Sequence, residues 1–238
     1  MPRYVDLTQP LSPLTARSSD HPEVTFRTLR WYSRNGLKTR EITASLHSGT
    51  HMDTSALYYS NGETIDQVAL SRMIGPAMFV DCRMEEFGAI TGDHLEKHAS
   101  SLTSDDMLVL CTGWHHFADD EEKYILKSPG LDKSGIDWVA SRSPKALCSD
   151  CPSPEHIYMR VRYWRQLRPD IFPKDPDPEV FPRSYGHRTL LPKGILMIEN
   201  LGGDIDEMIG RRAMMYALPP KYAGVEAAPV RAIAVVDD

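Results

Sequence analysis

Apolar residues along this chain fall into short runs of strand length, each closed by polar or turn-forming residues: 76–80 before Asp81, 107–111, 146–148, 195–198, and 232–236 near the end. Such runs predict β-strands. Between them, residues 92–99 and 134–141 carry helix signals, with Asp93 near the first N-terminus and Ser134 capping a turn that leads into Trp138 and Val139. Residues 167–183 hold so many prolines that neither a regular helix nor a central strand fits, which predicts a long surface loop of the kind that is often functional. There is no internal repeat or low-complexity tract, and Pro and Gly are spread evenly. The expected architecture is α/β, one compact domain over residues 1–238.

Composition narrows the partners. A 238-residue chain with 41% hydrophobic residues can bury a sizeable core. Its net charge of -6 gives no reason to expect nucleic acid or an anionic membrane, which need clustered Lys and Arg, so a small molecule is the expected partner. The opening MPRYVDLTQPLS lacks a secretory signal pattern, and no apolar stretch is long enough to span a bilayer, which gives a cytoplasmic expectation. Cys82, Cys111, Cys148 and Cys151 are too few and scattered for a disulfide framework, so reduced thiols are expected. Cys148 and Cys151 form a CxxC without the second pair a zinc site needs, and packing is favoured there over redox work.

The segment SLHSGTHMDTSALYY, residues 45–59, carries His47, His51 and Asp53 at alternating positions around Gly49. A lone histidine on an exposed strand is usually an ordinary polar residue. Three ligand types converging on one face, with room left by the glycine, instead predict a divalent-metal site, provided the segment is extended. A second group is His187, ahead of a Pro-Lys-Gly turn, and Glu199, ending an apolar run. A carboxylate that ends a buried strand needs a partner, and a metal or a salt bridge to Arg188 or Lys193 would each serve.

HSGTHMD resembles the metal-binding signature HxGTHxDxPxH of the cyclase-like metal-dependent hydrolases, the family of bacterial kynurenine formamidase and isatin hydrolase. The likeness extends to YVDLTQPLS, DMLVLCTGW, DCPSP, HRTLLPKGILMIENL and ALPPKYAGVEAAPVRAIAV. It implies a swivelling β/β/α domain that assembles as a homo-oligomer, a dimer or tetramer. It also implies that His47, His51 and Asp53 bind one zinc or manganese ion, and that Asp53, His187 and Glu199 bind a second where one is present. Ligand chemistry does not choose between the two metals.

The motif's second half departs from the family. Its proline is Ser55 here, and its last histidine, the family's proton-transferring residue, is Leu57. Leucine moves no proton, so another group must supply that step. The candidates are Glu199, Tyr58 or Tyr59, and His115 or His116, which follow the strand-like run 107–111 where sites in α/β sheets often gather, set against a plain reading as loop histidines. Leu57, Tyr58 and Tyr59, with Trp114, would favour an aromatic or partly apolar substrate.

The resemblance implies hydrolysis of a C–N or C–O bond in a small amide, lactam, lactone or formamide by metal-activated water. Kynurenine formamidase activity is less expected, because it goes with the histidine that Leu57 replaces. The alternatives are a metal-dependent lyase, cyclase or isomerase, or an inactive homologue that keeps metal and ligand binding.

Overall fold

The computed structural model describes residues 1–18, 21–160, 166 and 168–236. Its strands in chain order are β1 (Arg3–Asp6), β2 (Thr25–Arg30), β3 (Thr39–Thr43), β4 (His51–Asp53), β5 (Ile74–Asp81), β6 (Ala89–Ile90), β7 (Met107–Cys111), β8 (Gly130–Leu131), β9 (Ala146–Ser149), β10 (Leu196–Glu199), β11 (Arg212–Leu218), β12 (Ala227–Pro229) and β13 (Arg231–Val236). The helices are α1 (Tyr32–Asn35), α2 (Leu70–Met73), α3 (Gly92–Ala99), α4 (Glu121–Leu126), α5 (Lys133–Arg142) and α6 (Tyr185–Leu190).

Nine strands form one mixed sheet among the described residues, in the order β1-β13-β11-β5-β7-β9-β10-β4-β12. The middle strands β5, β7, β9 and β10 are parallel, and the flanking pairs are antiparallel. The apolar runs are continuous because both sheet faces are covered. Ala77, Phe79, Val109 and Ile198 enter one core, while Met78, Val80, Leu108, Leu110 and Met197 enter another. Leu95 of α3, Ile136 and Val139 of α5 and Leu190 of α6 roof the second core. The first also holds Val5 and Val236 from one end of the sheet and Met52 and Ala228 from the other, so the sheet curls round it. The α/β expectation holds.

All five expected strands are present: β7 has the expected bounds, β10 is shifted by one residue, β9 and β13 are each one residue longer, and β5 is three residues longer. β5 begins before Pro76, which a central strand tolerates because pairing with β7 starts only at Ala77. Residues 92–99 are helical as expected. The second expected helix begins earlier, because Asp132 and not Ser134 is its cap: Asp132 Oδ1 accepts from the Gly135 amide at 2.9 Å. Of the proline-rich stretch, residue 167 lies outside the described residues, and 168–183 contains neither helix nor strand. All four cysteines are buried and free, and burial pushes the Cys148 and Cys151 thiols up, which suits packing and not redox exchange. Among the described residues no helix is long and apolar enough to cross a membrane.

Candidate metal centre

The site is built on the short strand β4, held between β10 and β12. Alternation puts His51 and Asp53 on one face and drives Met52 into the core. Glu199 of β10 stands directly opposite His51 and presents its carboxylate on the same face. The expectation of an extended segment from 47 to 53 is corrected here. Residues 46–50 turn, with Gly49 left-handed at φ 66°, and the turn folds His47 back over the strand instead of leaving it in line. His187 arrives from α6, across the cleft.

The five side chains converge. Asp53 Oδ1 is 3.0 Å from His47 Nδ1 and 3.4 Å from His51 Nε2, and Glu199 Oε2 is 3.5 Å from His51 Nε2. His187 Nε2 lies 3.4 Å from Glu199 Oε1 and 3.8 Å from Asp53 Oδ2. Glu199 does not meet Arg188 or Lys193, the salt bridge its position allowed. Ligand atoms about 2.0–2.1 Å from a tetrahedral zinc stand about 3.3–3.4 Å from one another, close to these spacings.

Two observations say that the cluster suits a cation. His51 Nε2, Asp53 Oδ1 and Glu199 Oε1 are buried and lack a hydrogen-bond partner among the described residues. Buried polar atoms are seldom left so, and all three belong to the two ligand triads that share Asp53. The outer nitrogens are also fixed. His51 Nδ1 donates to the Gly49 carbonyl at 2.8 Å, which leaves a lone pair on Nε2. His187 Nδ1 is held by Glu155 Oε1 at 2.8 Å, and Glu155 Oε2 accepts from the Gly186 amide at 2.7 Å. This is how metal-binding imidazoles are oriented.

Charges within the cluster are strongly linked. Burial disfavours the His47 cation, but the Asp53 carboxylate 3.0 Å from its Nδ1, with Glu199 and Glu226 nearby, outweighs it and raises His47 to about 9. Burial is likewise outweighed at His187, where Glu155 and Glu199 hold the pKa well above 6.5. At Asp53, burial is overcome by His51, His47 and His187, and the carboxyl sits below the usual range. A cation needs the imidazole lone pair, and here the proton leaves His47 only as pH approaches about 9. Affinity for a divalent cation is therefore expected to rise with pH from 6 to 8, by about tenfold per unit for each proton displaced. Titrations in buffers of different ionisation enthalpy measure that release, and a pH-independent affinity would contradict the charge linkage.

The cluster lies in a cleft of about 570 Å³ that Leu57, Tyr58, His21, Arg17, Arg160 and Arg183 also line. Leu57 ends a 3₁₀ turn, Ser55–Leu57, directly after β4. Ser55 keeps that turn by accepting the Glu63 amide at 2.8 Å, which does part of the work of the family's proline. The Tyr58 ring is 5.7 Å from that of His187 and is half-exposed. Tyr59 instead donates to the Arg188 carbonyl, and Trp114 is buried, with its indole N–H on the Tyr124 carbonyl, so neither lines the cleft.

His115 does not line the cleft either: Asp150 holds its Nδ1 at 2.9 Å in a separate cluster with His116 and Asp206. Its place after β7 was read correctly, but that strand end opens elsewhere. Sequence reasoning missed Glu155, Glu226 and His21. Glu155 directly follows DCPSP, and that adjacency was the available signal.

The comparisons agree with this geometry. The chain is 24% identical over 238 residues to the kynurenine formamidase of Salinibacter ruber, covering 96% of this chain and 95% of that one. It superposes with TM-score 0.81 on an isatin hydrolase bound to the product analogue thioisatinate, at 21% identity, covering all of this chain and 93% of the other. It also superposes with TM-score 0.82 on isatin hydrolase A from Labrenzia aggregata, at 19% identity, over all of this chain and 94% of that one. The model of the Cyclase family matches residues 5–156, a span that includes His47, His51, Asp53 and Glu155. With well over half of its length matched, this chain belongs to the cyclase family.

Proposed function

We propose that this protein is a metal-dependent hydrolase that opens a C–N or C–O bond in a small, negatively charged carbonyl compound. The observation that carries the reading is the convergence of five ligand side chains, three with unpartnered buried atoms, on the floor of a cleft. The names of its relatives, a formamidase and isatin hydrolases, support hydrolysis.

His47, His51 and Asp53 would hold one zinc or manganese ion, and Asp53, His187 and Glu199 a second where one is present; such an ion would act as a Lewis acid that lowers the pKa of water toward neutrality and polarises a carbonyl. Glu155 and Gly49 keep two of the imidazoles in the ligating tautomer. Glu199, whose Oε1 has no donor among the described residues, is the carboxylate placed to take a proton from the attacking water. Tyr58 offers its phenol to the departing atom in place of the family histidine. Leu57 forms an apolar wall beside it.

Arg160 and Arg183 support the substrate's charge. Arg17 is already paired with Glu23 and Glu121, whereas Arg160 and Arg183 show no ion pair among the described residues and face the same cleft. A carboxylate on the substrate would meet them. The exposed β2–β3 hairpin, with Leu29, Trp31 and Ile42 facing solvent, supports the expected homo-oligomer.

The test is metal analysis of the purified protein, followed by assays on amides, lactams, lactones and formamides with and without a carboxylate, before and after chelation. Hydrolysis that disappears with the metal, returns on adding zinc or manganese and shows a lower KM for the carboxylated members is the expected result. A metal-loaded protein that hydrolyses none of them would overturn the proposal.

A further inference from the structure

A second group of ligand-type side chains lies outside the cleft. The 3₁₀ turn Trp114–Phe117 after β7 carries His115 and His116, and the 3₁₀ turn Ile205–Met208 beyond β10 carries Asp206. One ligand atom from each falls within 4.8 Å of the others. We infer that these three residues form a separate surface site for a borderline divalent ion of the zinc type.

His115 is the residue that points to a ligand. Its side chain is only 7% exposed, yet its Nε2 is buried with no hydrogen-bond partner among the described residues. A buried imidazole nitrogen without a partner is costly, and an ion removes the cost. That nitrogen is aimed at Asp206, whose Oδ2 lies 3.8 Å away.

The other side of the ring is fixed as a metal-binding imidazole requires. Asp150 Oδ2 accepts from Nδ1 at 2.9 Å, so the lone pair is on Nε2. Asp150 is itself fully buried and clamped through Oδ1 by the Thr112 amide and hydroxyl, at 2.9 and 2.5 Å. A carboxylate holding a histidine toward an open point is the usual outer support of a metal ligand.

The remaining two ligands are hydrogen-bonded to each other, a contact at the exposed surface that a bound ion would replace. His116 Nε2 lies 2.7 Å from Asp206 Oδ2, and the pair of spacings, 2.7 and 3.8 Å, brackets the about 3.3–3.4 Å between ligand atoms on a tetrahedral zinc. Arg83, whose charge also acts on Asp206, is already gripped by both oxygens of Asp81, at 2.9 and 2.6 Å, and does not satisfy this carboxylate. Two imidazoles and one carboxylate select zinc-like ions over magnesium or calcium, and water completes the shell. The ion ties the turn after β7 to the turn beyond β10.

The test titrates metal-free wild type, His116→Ala, Asp206→Asn and His51→Ala with Zn²⁺ against a chromophoric chelator, and with Co²⁺ by visible absorption. His116 and Asp206 are largely exposed, so their replacement leaves the fold intact. His116→Ala and Asp206→Asn should each bind one equivalent fewer than wild type, and His51→Ala should retain that equivalent. The last arm separates this site from the cleft, so failure of either reading is visible alone. Equal stoichiometry in wild type, His116→Ala and Asp206→Asn, or only millimolar binding at this site, overturns the inference.

Discussion

Replacing Asp53 with asparagine is expected to lower the affinity of the cleft for divalent cations by about a thousandfold, more than alanine at His47, His51 or His187. The reason is position. Asp53 belongs to both ligand groups, His47–His51–Asp53 and Asp53–His187–Glu199, whereas each histidine belongs to one. Structural zinc sites bind with about 10–16 kcal/mol from roughly four ligands, so one ligand accounts for about 3–4 kcal/mol, or two to three powers of ten. A shared ligand that also carries charge reaches the upper end. Asparagine keeps the shape, and Met52 and the β4 pairings remain, so the fold should persist.

The variant also reports on the metal-free protein. Asp53 is what chiefly raises His47 to about 9, against burial. A group with a raised folded pKa adds stability that is fully present below its unfolded value of about 6.5 and is lost as pH rises through about 9. Asp53→Asn should therefore flatten the pH dependence of apoprotein stability between those values. Elemental analysis, calorimetric titration and thermal melts at pH 6 and 9 measure all of this. A folded Asp53→Asn protein with wild-type metal content and affinity would remove Asp53 from the site.

How much of this could be read in the chain depends on sequence distance. His47, His51 and Asp53 lie within seven residues, and strand alternation alone joins two of them. The third required a turn at Gly49, whose left-handed backbone is not visible in a polar/apolar pattern. Glu199 was legible as a charge ending a buried run. Glu155 was not, because its role depends on α6 bringing Gly186 and His187 across the cleft, a contact 31 and 32 residues away in the chain. His115 shows the reverse: its position at a strand end read as a site, but neighbouring strand ends open to different places.

The same reasoning holds for the fold. The central strands, though not their parallel order, were legible because strands buried on both faces leave continuous apolar runs, and β5, β7, β9 and β10 do so. β2 and β3 are exposed along their length, and β4 and β12 have three residues each, too few to show a period. The short strand β4 nevertheless carries two of the candidate ligands, His51 and Asp53. Its register against β10 sets His51 opposite Glu199, and tertiary pairing alone fixes that register.

Leu57→His is expected to raise the hydrolysis of an aryl formamide by about two to four powers of ten, the usual contribution of a positioned general acid/base. Leu57 lies four residues beyond Asp53, on the wall of the cleft and beside Tyr58. Its side chain is only partly buried, against the edge of the helix-covered core. An imidazole there can keep one edge on that apolar surface and turn a nitrogen to the cleft, at a stability loss of about 1 kcal/mol. The turn itself should survive, since it is held by Leu57 N–H to the Thr54 carbonyl at 3.1 Å and by Ser55, neither of which uses the leucine side chain. The decisive readout is the pH profile of kcat/KM. A gain in rate with a new limb near the ordinary imidazole pKa of about 6.5, at unchanged metal content, would make Leu57 the residue that separates this chain's specificity from that of a formamidase. A folded, metal-loaded Leu57→His protein with neither gain nor limb would instead mean that proton transfer at this cleft already runs through Tyr58 or Glu199, from which a second group in their neighbourhood draws no further rate.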